Sequence, residues 1–70
     1  MNFLENDIVK LKHKIDSFEI GSQGTILMCF ITPDVAYLVE FSDEDGHTID
    51  TPILKEDDIE LIWRDGKWYQ

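Results

Sequence analysis

What this chain lacks narrows what it can be. It has a single cysteine, Cys29, so no internal disulfide can staple it. A lone thiol within an apolar run suits a reducing compartment, and a cytosolic protein is expected. Its two histidines, His13 and His47, stand far apart. No Cys pair or His–Glu pair has metal-ligand spacing, so no metal or other cofactor is expected. Basic residues are scarce, six against fifteen acidic ones, for a formal net charge of −9. That balance opposes binding to nucleic acid, whose phosphates are neutralised by Lys and Arg. Long apolar runs are missing too, because Asp, Glu and Lys interrupt each of them, so no membrane span is expected. Met1 to Glu5 lacks the basic start and apolar stretch of a secretory signal.

Catalytic constellations are equally scarce. Cys29 paired with a histidine would make a nucleophile and base, but it lies mid-strand among apolar residues, where a thiol is inert. Asp43-Glu44-Asp45-Gly46 resembles the start of a calcium loop but lacks the remaining ligand pattern and the closing glutamate. Gly21 and Gly24 are not followed by the Gly-Lys-Ser or Gly-Lys-Thr of a phosphate loop. The chain is read as a non-enzyme.

What is present is a succession of short β-formers punctuated by turn residues, and 70 residues make one domain, 1–70. Asp7 to Ile15 alternates with period two: Val9, Leu11 and Ile15 share one face, and Lys10, Lys12 and Lys14 the other. The lysines either guard an edge strand against foreign pairing or solvate an outer face. Asp16 to Gly24 is a loop whose Phe18 and Ile20 are expected to fold over the core, with Gly21 and Gly24 supplying backbone angles closed to other residues. Thr25 to Ile31 is apolar on both faces, with Ile26, Met28 and Phe30 on one and Leu27, Cys29 and Ile31 on the other. Something is expected to cover its second face. Thr32-Pro33-Asp34 turns the chain into Val35 to Phe41, and Ser42 to Gly46 turns it again. Thr48 to Ile53 is a fourth strand with Ile49 and Ile53 inward, at an edge or ended by Pro52. Lys55 to Asp58 reads as one helical turn, and Ile59 to Trp63 as the fifth strand. The expected core is Val9, Leu11, Ile26, Met28, Tyr37, Val39, Phe41, Ile49, Ile59 and Leu61.

Asp65-Gly66 signals a type I′ hairpin, so residues 59–70 form a C-terminal hairpin with Trp63 opposite Trp68 and Arg64 opposite Lys67. Facing indoles add about 0.5–1.5 kcal/mol beyond area burial. The two opposed cations repel.

Five short strands with a helical turn before the last describe an all-β, antiparallel, Src-homology-3-like barrel. Asp7-Ile8-Val9, Gly21 to Ile26, Tyr37 to Phe41, Asp43 to Gly46 and Glu56 to Ile59 resemble the pattern of a family of short bacterial proteins classed as a domain of unknown function. The resemblance runs from Asp7 to Ile62. It rests on glycines and core residues, so it implies a fold and supplies no catalytic residue. The tail, Trp63 to Gln70, lies outside the pattern.

The acidity serves either solubility or a basic partner reached through long-range attraction. Under the second reading Asp43, Glu44, Asp45, Glu56, Asp57 and Asp58 form an acidic patch, and Trp63 and Trp68 give it aromatic anchors; Trp63 is alternatively a closure of the barrel end. The expected function is a non-catalytic acidic binding protein. Its most concrete form is an immunity protein or antitoxin that covers the basic cleft of a toxin domain, such as a nuclease. The rival is an accessory domain of an enzyme complex.

Overall fold

The computed structural model describes residues 2–69. Its strands are β1 (Ile8–Leu11), β2 (Gln23–Phe30), β3 (Ala36–Ser42), β4 (Thr48–Asp50), β5 (Ile53–Leu54), β6 (Ile59–Arg64) and β7 (Lys67–Trp68), and a 3-10 turn, Glu56–Asp58, leads into β6. Every pairing is antiparallel, and the order is β4-β3-β2-β1-β6-β7 with β5 also on β3. The first strand thus lies between the second and the last long one. The sheet is open, since β4 and β7 end the strand order. Flanked on both sides, β1 is not an edge, so the edge-guard reading of the lysines is overturned. Lys10 pairs with Glu60 and Lys14 with Glu19 instead.

Val9, Leu11, Ile26, Tyr37, Val39, Phe41 and Ile59 form the buried core as expected, joined by Phe3 and Leu54. Phe3 meets Tyr37 edge to face at 5.3 Å, and Phe18 stacks on Phe41 at 4.6 Å. Phe18 therefore folds over the core as expected, whereas Ile20 is exposed. The expected first strand stops at Leu11, and Ile15 instead bridges to Phe18.

Two expected core residues, Met28 and Ile49, lie elsewhere. Met28 is exposed because β2 bulges: Ile26 faces Val39 but Met28 faces Leu38, leaving Leu27 as an extra residue. One extra residue reverses every side chain beyond it. Met28 and Phe30 thereby take the outer side, and Cys29, opposite Tyr37, turns inward. Ile49 on β4 and Ile53 on β5 are exposed because pairing with β3 sets the opposite phase: Asp50 lies opposite the buried Phe41, and Leu54 takes the buried place opposite Tyr37. Leu61 is half-buried and packs against the core, as expected. A second irregularity lets Ile8 face Trp63 while Val9 faces Leu61, and Ile62 between them is buried.

The two glycines of the first loop do different work. Gly21 has φ +88°, as anticipated. Gly24 has no unusual angle; a Cβ there would lie 2.6 Å from Val39 Cγ1 and 2.9 Å from the Glu40 carbonyl oxygen. Space, rather than backbone freedom, requires glycine at this crossing.

Candidate functional site

The acidic loop after β3 is built by one of its own carboxylates. Asp43 Oδ1 accepts hydrogen bonds from the amides of Asp45 and His47, both at 2.9 Å, and the Gly46 amide closes the turn on the Asp43 carbonyl at 3.0 Å. Glu44 and Asp45 point into water from this frame. Asp43, Asp45 and His47 bring one ligand atom each within 4.8 Å of one another, all exposed. Three ligand atoms fall well short of the six to eight oxygens that calcium takes.

The acidic turn is more deeply committed to the fold. Asp58 accepts the Lys55 amide at 2.9 Å through Oδ2, and its Oδ1 lies 2.8 Å from His13 Nε2. Glu56 accepts the Asn2 amide at 3.0 Å, the Asn2 side chain at 3.2 Å and the Tyr37 hydroxyl at 2.7 Å. The Tyr37 bond, with the Asn2 amide behind it, lowers the Glu56 carboxyl below its ordinary value. Burial, then the same Glu56 bond, pushes the Tyr37 hydroxyl up to about 12. Asp57 is exposed and has no ion-pair or hydrogen-bond partner among the described residues.

The C-terminal hairpin forms in the expected register, Trp63 opposite Trp68 and Arg64 opposite Lys67, with positive φ at both Asp65 and Gly66. Trp68 is 68% exposed, and Trp63 is half-buried beside Ile8 of β1. No hydrogen bond joins either indole to the acidic turn among the described residues, although Glu56 of that turn and Arg64, next to Trp63, both bond Asn2. That turn joins β6 at Ile59, and Trp63 lies four residues along it, about 13 Å away at strand rise. Nor do the two acidic segments meet through hydrogen bonds or ion pairs among the described residues. Glu56 is anchored to Tyr37 near the start of β3, and the acidic loop begins beyond its far end at Ser42. The residues named from sequence thus come from three segments: the loop after β3, the turn before β6 and the C-terminal hairpin.

Sequence reasoning missed the strongest polar contact. Asp7 is 2% exposed, yet it receives Arg64 Nε at 2.9 Å on Oδ1, and Arg64 Nη2 at 2.7 Å and the Leu4 amide at 2.8 Å on Oδ2. Arg64 Nη2 also reaches the Asn2 carbonyl at 3.2 Å. The cation expected to repel Lys67 is thus neutralised, and it ties the hairpin to the N-terminal arm. Burial by itself raises the Asp7 carboxyl, but the Arg64 bonds, the Leu4 amide and the Arg64 charge outweigh it and hold it below its ordinary value. The available signal was an aspartate placed among apolar residues at a strand start, fifty-seven residues from its partner. Cys29 donates to the Phe3 carbonyl at 3.7 Å, and burial, followed by the charges of Glu5 and Asp7, raises its pKa, consistent with an inert thiol.

A family model described as "Domain of unknown function (DUF4926)" matches residues 5–61. No curated protein and no solved structure matches the chain. No helix among the described residues is long and apolar enough to cross a membrane.

Proposed function

This chain belongs to the DUF4926 family of domains of unknown function, and from that premise we propose that it is a non-catalytic module that binds a basic protein. In its most concrete form it is an immunity protein or antitoxin that occludes the cationic cleft of a toxin domain. The observation that carries this reading is the set of acidic side chains the fold leaves unused: Glu44, Asp45 and Asp57 are exposed, within a chain of net charge −9. Trp68, exposed on the C-terminal hairpin, supplies a separate aromatic anchor. Asp43, Glu56 and Asp58 hold the two acidic turns in shape, and Trp63 positions Trp68 across the hairpin. The exposed carboxylates act on association rate and partner choice, and the indole on dissociation.

The test is co-expression with the product of the adjacent gene. A toxic product whose growth arrest is relieved by this chain, and not by a Glu44→Lys/Asp45→Lys/Asp57→Lys variant, supports the reading. Relief by the variant, or no relief by the parent, refutes it. The accessory-domain reading draws on a different observation. Asp43, Glu56 and Asp58 are spent on intramolecular bonds, so part of the acidity is architectural.

A further inference from the structure

An antiparallel sheet with one face on the core normally turns polar residues outward. The outer side of β2, β3 and β5 does not. Leu38 faces Met28 on one neighbour and Ile53 on the other, and residues directly opposite each other project to the same side. Phe30, two residues beyond Met28, shares that side. Met28 is 48% exposed and Ile53 63%, while Leu38 and Phe30 are half-buried. These apolar groups form a row across adjacent strands, unlike the scattered single ones of an ordinary surface. Beside the row lies a shallow depression of about 210 Å³ lined by Phe30, Pro33, Ala36 and Ile53, with Asp34 and Lys55 at its polar margin. Its size suits one large apolar side chain.

Charge says what can sit there. Glu40 lies on this same side, two residues past Leu38, and the whole molecule carries −9. A second copy would bring an equal negative charge, whereas a cationic segment is drawn in. We propose that the Met28–Leu38–Ile53 row with its depression is the docking face for a basic, amphipathic protein segment. That segment places an apolar side chain beside Phe30 and Ile53 and its cations toward Asp34 and Glu40. The sign of the partner's charge rests on the basic-partner reading above; the location does not.

Three labelled peptides test it against the whole chain: alternating Leu and Lys, alternating Ser and Lys, and alternating Leu and Glu. The Leu–Lys peptide is expected to bind at least about tenfold more tightly than either of the others. A Met28→Ser/Ile53→Ser variant is expected to lose that margin over Ser–Lys while melting like the parent, because both side chains are exposed. Absence of the margin, or its survival in the variant, overturns the proposal. Loss of the margin on Trp68→Ala but not on Met28→Ser/Ile53→Ser moves the site to the hairpin, overturning this inference while leaving the function reading intact. Equal binding of Leu–Glu and Leu–Lys, abolished by the double variant, refutes the basic partner and hence both proposals. A parent that sediments as a dimer, dissociated by the double variant, makes a second copy the occupant and also overturns it.

Discussion

Asp7 concentrates more consequence than any other single side chain. Its carboxylate is buried and serves the Arg64 guanidinium and the Leu4 amide together. Asp7→Ala would strand both partners, and removing one member of a buried pair costs about 3–5 kcal/mol. Because Arg64 retains contact with water, the lower end is expected, measured by urea unfolding. Even that is a large share of a domain this size, whose whole stability is about 4–10 kcal/mol at typical values per residue. The pH dependence follows from the sign of the shift. The folded carboxyl lies below its unfolded value of about 3.9, so its contribution is fully present above that pH and is lost as pH falls through the folded value. Glu56 acts in the same direction. Asp7→Asn should therefore flatten the acid limb of a melting-temperature profile. Tyr37 carries the opposite sign: its contribution is full below about pH 10 and lost as pH rises through about 12. Gly24→Ala is expected to destabilise by about 1–3 kcal/mol, since Val39 and a backbone carbonyl occupy the space its methyl needs.

Among the elements, the C-terminal hairpin and β3 should respond in opposite ways to truncation. Trp68 is mostly in water, so Trp68→Ala should change unfolding free energy by less than about 1 kcal/mol and leave the domain folded. Val39 is fully buried at the crossing of β2 and β3, so Val39→Ala should cost about 1–3 kcal/mol through lost burial and the cavity left behind. A large loss on Trp68→Ala would make the tryptophan pair a device of the core. The bulge at Leu27 belongs to this scale as well. It turns the second half of β2 over, moving Met28 and Phe30 from the core side to the outer side and creating the apolar row of the proposed docking face.

For the whole molecule, charge dominates. A domain of 70 residues carrying −9 repels itself, and added salt screens that repulsion. The melting temperature at neutral pH should rise between about 10 and 150 mM sodium chloride, as the Debye length falls from about 30 to 8 Å. The same charge predicts no appreciable binding of an oligonucleotide at physiological salt. Tight, salt-sensitive binding in a fluorescence anisotropy titration would overturn that expectation.

The all-β class, the strand succession, most of the core and the Trp63–Trp68 register were legible along the chain. Period-two alternation and Asp65-Gly66 turn chemistry are local, each acting over a few residues. Misplacing Met28 came from extending that alternation through a bulge, where a single extra residue exchanges the faces; for Ile49 and Ile53 the phase was set by pairing with β3, which puts Asp50 opposite Phe41 and Leu54 opposite Tyr37. The Asp7–Arg64 pair and the Glu56–Tyr37 bond depended on which strands lie side by side. Asp7 meets Arg64 because β1 lies beside β6 and the hairpin turn follows directly, bringing a carboxylate and a guanidinium from opposite ends of the chain into one buried contact. No local propensity carries that information, since a charged side chain is stable in the interior only once its partner arrives there with it.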